Sequence, residues 1–266
     1  MSLQGFDQSQ FSFQGKTCPV FRKGSGPGVV IIHEIPGITP QVERFANIVA
    51  DSGFSVVMPH LFGTPGKKIS AAYLGEQFLR TCISKEFNVL SAGESSPITD
   101  YLRALCRQTH KELGGQGVGV VGMCLTGNFA LSLFADDSVM APVLSQPSLP
   151  FGISKKQRSG LHINQADLSR VKERIAQGEE VMGLRFTADT MCPGVRFKKL
   201  KEELGEGFVD IQIDSGFGNS NGIKPFAHSV LTTDLVNEEG HPTYTALQQV
   251  LGFFHKKLDI EKVQAV

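Results

Sequence analysis

The sequence predicts an α/β fold, a mainly parallel sheet with helices on both faces. Three observations carry the expectation. Strand-like and helix-like segments alternate for most of the 266 residues. A hydrophobic content of 41% over that length suits one large core. No internal repeat, low-complexity tract or linker divides the chain, so residues 1–266 are read as a single domain.

The elements follow in order. "PGVVIIHE" (27–34) reads as a buried strand, and "PQVERFANIVADSG" as a helix whose Val42, Phe45, Ile48 and Val49 share a face and whose end is set by Gly53 as a left-handed cap. "FSVVMPHLF" is the next strand. Residues 63–95 are weakly amphipathic around "AAYLGEQFLRTCI" and suggest a lid or a loop excursion over a pocket. "SSPITDYLRALCRQTHKELGG" is a helix with Ser96 as N-cap, Pro97 at its first position, Leu102, Cys106 and Leu113 inward, and Gly114 at the stop. "GVGVVGMCLTGNFAL" supplies a strand (117–123) and a helix (126–135). "MAPVLSQPS" is a short strand, residues 150–163 a polar excursion, and "NQADLSRVKERIAQG" a helix with Leu168, Val171 and Ile175 on one face. A strand over 180–189, a helix over 193–204, the strand "FVDIQID", the loop "SGFGNSNGIKPFAHS" and the closing helix "PTYTALQQVLGFFHKKL" complete the chain.

Composition narrows the function classes. Lys+Arg and Asp+Glu are both 26, which offers no net attraction for nucleic acid or an anionic membrane; a small-molecule ligand is the expectation. The five cysteines are widely spaced with no C-x-x-C pair, which argues against a disulfide framework or zinc knuckle and for reduced, cytoplasmic thiols. "HEIPG" (33–37) is not the H-E-x-x-H zinc motif, because position 37 is glycine. The amino terminus lacks a signal-peptide pattern, and no apolar run approaches the roughly 18 residues of a membrane span.

In open α/β sheets, ligands bind at the carboxyl ends of the strands. Three reactive side chains stand there: Cys124 after strand 117–123, Asp189 after 180–188, and His228 in the loop after 208–214. Their order, nucleophile then acid then histidine, is that of the α/β-hydrolase triad. His228 takes the thiol proton in that arrangement, Asp189 fixes the imidazole tautomer, and Cys124 attacks an acyl carbon. A helix N-terminus immediately after Cys124 is expected to favour thiolate. The backbone N–H of Leu125, with Ile35 in the "HEIPG" loop as second donor, forms the oxyanion hole.

The chain resembles the dienelactone hydrolase family of α/β-hydrolases. The likeness rests on "VVIIHEIPGI", on "GFSVVMPHLF", on "GMCLTG" against the family's G-x-C-x-G-G elbow, on "ADTMCP" against its D-x-x-x-P acid loop, and on "AHSV" against its G-H-S. These blocks span about 27–260. The resemblance implies cofactor-free hydrolysis of lactones or other carboxylic esters through Cys124, Asp189 and His228, with Glu34 hydrogen-bonded to the resting thiol. Two positions depart from the family: Thr126 stands where the elbow usually has glycine, and Thr232 where the family carries an arginine for the substrate carboxylate. Neutral substrates are therefore expected, with Arg80 as the one substitute cation.

Each residue also has a plainer reading. A lone cysteine is more often a buried small hydrophobe, Asp189 could cap the helix before Pro193, His228 could be a solvated loop histidine, and Glu34 a structural carboxylate. Cys192 reads as a packed thiol, His110 and His255 as helical, and His241 as a cap before Pro242. Two other functions stay open: a flavodoxin-like cysteine amidohydrolase or amidotransferase, and a non-catalytic binding protein of the same fold.

Overall fold

The computed structural model describes residues 3–83, 96–148 and 159–258. The later part of the 63–95 stretch and most of the 150–163 excursion lie outside the described residues. Eight strands form one sheet: β1 (Asp7–Phe13), β2 (Lys16–Lys23), β3 (Gly28–Ile32), β4 (Ser55–Pro59), β5 (Val118–Met123), β6 (Val139–Ser145), β7 (Val181–Phe186) and β8 (Phe208–Ile213). Their spatial order is β1-β2-β4-β3-β5-β6-β7-β8. From β4 to β8 every neighbouring pair is parallel, while β2 meets β1 and β4 antiparallel. The helices are α1 (Pro40–Asp51), α2 (Ala71–Ile83), α3 (Pro97–Leu113), α4 (Gly127–Leu133), α5 (Gln165–Ala176), α6 (Gly194–Leu204) and α7 (Pro242–Leu258).

The parallel strands are apolar on both sides because both sides are covered. Along β3, Val29 and Ile31 enter one core with Phe45 of α1 and Phe254 of α7. Val30 and Ile32 enter the other, with Leu102 of α3 and Phe129 of α4. The period-two alternation of strand side chains thus feeds two separate cores from a single apolar run.

Helix ends follow their caps. Thr39 Oγ1 accepts the Val42 N–H before α1, and Gly53, at φ 92°, supplies the left-handed turn just beyond it. Ser96 precedes Pro97 and accepts the Thr99 N–H at 3.4 Å, and α3 stops at Gly114 with φ 72°. Leu113 is a correction: it is 39% exposed, at the last residue of α3, where only one of its methyl groups comes near Gly28 at the start of β3.

The β1–β2 hairpin was not assigned from the sequence. It turns on Gln14 (φ 47°) and Gly15 (φ 80°), both left-handed, between the paired residues Phe13 and Lys16. Two consecutive left-handed residues match the right-handed twist of the flanking strands.

Candidate active site

The site is built where β5 ends. Met123 is the last strand residue, and a tight 3₁₀ turn, Cys124–Thr126, leads directly into α4. Cys124 itself has φ 56°, a left-handed conformation that costs an ordinary residue about 1–2 kcal/mol. The turn is this sharp because its neighbours have no side chains. A Cβ on Gly122 would stand 2.3 Å from the Thr126 carbonyl oxygen, and one on Gly127 would stand 2.8 Å from Pro147 Cα. Thr126 fits where the family's elbow has glycine, because its hydroxyl works as a staple. It accepts the Met123 N–H at 3.0 Å and shares its proton among the carbonyls of Met123 (2.8 Å), Ile32 (2.9 Å) and His33 (3.2 Å). The elbow is thereby tied to the exit of β3.

The residues after β7 and β8 bring an acid and a histidine together. His228 Nδ1 lies 2.6 Å from Asp189 Oδ2, while Asp189 Oδ1 accepts the Met191 N–H at 2.9 Å. Asp189 is buried and its carboxylate is an acceptor on both oxygens, so Nδ1 of His228 carries the proton. That assignment leaves Nε2 open; it is buried and has no hydrogen bond of good geometry, yet His228 interacts with the Cys124 thiol. Burial opposes a charge on the imidazole, but Cys124 and Asp189 outweigh it and hold the His228 pKa well above its usual value.

The loops that carry these groups are fixed from behind. Asp234 Oδ2 accepts the backbone N–H groups of both His228 and Ser229 at 2.9 Å. Arg185, buried in β7, donates to the carbonyl of Cys192 (2.8 Å) and to that of Thr187 (2.9 Å), on either side of Asp189. Thr187 and Ser215 cross-link the acid loop to the exit of β8.

Glu34 is close to this group but has partners other than the expected one. It is buried at the exit of β3 and accepts from Thr232 Oγ1, from Ser229 Oγ (2.7 Å) and from Gln146 Nε2 (3.3 Å). The sulfur of Cys124 instead pairs with Ser148 Oγ at 3.1 Å. The expectation that Glu34 holds the thiol is therefore corrected: its two oxygens are taken up by the histidine loop and by Gln146. Thr232, which stands where the family carries an arginine, gives its hydroxyl proton to Glu34. Burial raises the Glu34 pKa, against the hydrogen bonds from Thr232 and Ser229. Gln146, itself left-handed at φ 36°, also accepts the Val230 N–H at 3.3 Å, so the exits of β3 and β6 and the histidine loop interlock.

The remaining expected residues fall as follows. Leu125 follows Cys124 in the elbow and is buried, and Ile35 lies in the exit loop of β3, partly buried against the same core. Cys192 is buried, and burial pushes its thiol up to about 12. His241 caps α7 through Thr243. The side chain of Arg80 lies outside the described residues. Among the described residues no cluster of His, Cys, Asp and Glu could hold a metal ion, and no helix is long and apolar enough to cross a membrane.

Sequence reasoning missed Ser148, Gln146, Asp234, Arg185 and His33. A faint signal existed for Arg185, a charged residue inside the apolar run "VMGLRF". His33 carried one as well, next to Glu34 in "HEIPG". Its Nδ1 contacts the Glu34 carbonyl at 3.1 Å and its Nε2 accepts the Leu61 N–H at 3.0 Å, which fixes a neutral ring; burial lowers its pKa to about 3.

Comparison with known proteins agrees with this architecture. A curated relative from Saccharomyces cerevisiae, described as a "putative carboxymethylenebutenolidase", is 26% identical over 169 residues, which is 62% of this chain and 58% of the relative. The chain thus spans little more than half the length of that relative. Among solved structures, a dienelactone hydrolase from Anabaena variabilis superposes with a TM-score of 0.60 at 13% identity, over 96% of this chain and all of the other. A dienelactone hydrolase-like promiscuous phosphotriesterase from metagenomic libraries does so with a TM-score of 0.61 at 15% identity, over 95% and 98% of the two chains. These likenesses give the α/β-hydrolase fold. The sequence model of the Dienelactone hydrolase family matches residues 18–218, a span that holds Cys124 and Asp189 and ends ten residues before His228. The chain belongs to the dienelactone hydrolase family.

Proposed function

We propose that this protein hydrolyses carboxylic esters or lactones through a Cys124–His228–Asp189 triad and an acyl-enzyme intermediate. The observation that carries the reading is the 2.6 Å contact between Asp189 and Nδ1 of His228, which leaves Nε2 as the ring nitrogen available to the Cys124 thiol, a group His228 interacts with. A histidine so held can accept the proton of that thiol as its general base.

The chemistry follows from the groups present. Nε2 of His228 takes the thiol proton, its affinity for it raised by the thiolate and Asp189, and Sγ bonds to the ester carbonyl carbon as the carbonyl electron pair moves to oxygen. The N–H groups of Leu125 and Ile35 receive that oxyanion. Collapse of the tetrahedral species breaks the carbon–oxygen bond, and the imidazolium gives its proton to the departing alkoxide, which stays tethered if the substrate is a lactone. Water then loses a proton to His228, attacks the thioester carbon, and frees the carboxylic acid with Cys124 restored. Asp189 holds the imidazole ring and stabilises the imidazolium. The free state of Cys18, Cys106, Cys124 and Cys192 suits a reducing, cytoplasmic setting.

The test is a spectrophotometric screen of activated esters, thioesters and lactones beside Cys124→Ala and His228→Ala. Turnover should fall about 100-fold or more in each variant, the scale of losing a general base or its nucleophile. Undiminished turnover in Cys124→Ala would end the reading.

A further inference from the structure

The segment leaving β6, Gln146–Ser148, runs beside the elbow and is held to it at several points. Ser148 N–H donates to the Cys124 carbonyl at 3.0 Å. Asn128 Nδ2 donates both to the Ser148 carbonyl (2.8 Å) and to that of Leu125 (3.0 Å), so one amide clamps the two strands of chain together. Pro147 sits against the bare Cα of Gly127, and its carbonyl accepts from the buried Arg196 at 2.5 Å. None of these contacts uses the Ser148 hydroxyl. That oxygen is free to face Cys124, and it lies 3.1 Å from Sγ in a side chain only 3% exposed.

Resting on the triad reading above, we infer that Ser148 is a positioning residue for Cys124, its hydroxyl fixing the sulfur and donating to it once the thiol proton has left. A sulfur–oxygen contact can run in either direction while the thiol is protonated. After the proton passes to His228 only the hydroxyl has a hydrogen to give, and a donor aimed at a charged acceptor is worth more than one aimed at a neutral thiol. Once Cys124 is acylated, the thioester sulfur accepts poorly, and the hydrogen bond regains its strength as thiolate leaves during deacylation. Both half-reactions pass through a state the hydroxyl favours. Glu34, which the family resemblance put in this role, is occupied by Ser229, Thr232 and Gln146.

His228 and the buried Cys192 are the titratable groups that interact with Cys124, and Ser148→Ala leaves both side chains in place. The experiment compares wild type, Ser148→Ala and Ser148→Thr by peptide-resolved mass spectrometry of iodoacetamide labelling at Cys124 across pH, with steady-state ester kinetics alongside. In Ser148→Ala the labelling curve should move to higher pH, and kcat should fall about tenfold, the scale of one hydrogen bond to a charged acceptor, with KM nearly unchanged. Ser148→Thr keeps the hydroxyl and should restore both. Superimposable labelling curves in wild type and Ser148→Ala would overturn the inference, as would a Ser148→Thr enzyme that behaves like the alanine variant. Failure of the triad reading appears separately, as full turnover in Cys124→Ala, while the labelling curves still decide whether the hydroxyl acts on the sulfur.

Discussion

Replacing Glu34 by alanine and by glutamine separates its charge from its hydrogen bonds. Alanine removes the acceptor of three buried donors, the hydroxyls of Ser229 and Thr232 and the amide of Gln146. A buried donor left unsatisfied costs about 1–3 kcal/mol. Three of them, offset in part by relief of a buried carboxylate, should destabilise the fold by about 3 kcal/mol, a large share of the roughly 5–15 kcal/mol of a native domain. For a chain of this size that corresponds to a fall of about 6–12 °C in Tm. Glutamine should behave differently, since its oxygen can accept from Ser229 and Gln146 while its amide donates to the Thr232 oxygen. Charge then appears as a pH effect. The folded protein holds the Glu34 proton more tightly than the unfolded chain, because burial raises the pKa. The stability this contributes is full below the ordinary carboxylate range and is lost as pH rises through the folded value. Glu34→Gln should remove that slope. Urea titrations of the three proteins from pH 4 upward would measure both effects. An alanine variant as stable as wild type, or a glutamine variant as damaged as alanine, would refute the network as described.

Two further outcomes follow from the same residues. Burial lowers the His33 pKa to about 3, so the stability tied to its neutral ring is present above the usual histidine range and is lost as pH falls toward 3; wild type should lose its urea midpoint faster than His33→Gln on acidification, and parallel curves would remove His33 from the account. Thr232 offers neither a cation nor a free hydroxyl, so kcat/KM should be higher for a neutral ester than for its carboxylate analogue; a strong preference for the carboxylate that disappears in Arg80→Ala would show that the cation comes from α2 instead.

Much of the architecture is legible in the sequence because it depends on local patterns. The apolar runs of β3 and β5, the Ser96–Pro97 cap and the glycine stops at Gly53 and Gly114 each act within a few residues of themselves. The chain order of Cys124, Asp189 and His228 follows the strand order, Cys124 directly after β5 and the other two in the segments that follow β7 and β8. What stayed hidden depends on strand order. Glu34 meets Thr232 across 198 positions and Gln146 across 112, and Cys124 meets Ser148 because β6 lies beside β5. No spacing rule announces such pairs. The 7–23 hairpin was overlooked for a different reason: glutamine is an uncommon residue for a left-handed turn position, so "FQGK" hides a signal that Asn-Gly would have displayed. Leu113 departs from expectation because helical periodicity tells which side a residue faces and not how fully the last turn of a helix is covered.

The most direct test is to trap the acyl-enzyme. Wild-type protein mixed with an activated ester, acid-quenched within the first turnover and digested, should carry the acyl group on the peptide containing Cys124, as a thioester released by hydroxylamine. In His228→Ala the same adduct should form far more slowly. An acyl group found on Ser148 or another side chain, or burst kinetics with no adduct on Cys124, would contradict the assignment of Cys124 as nucleophile.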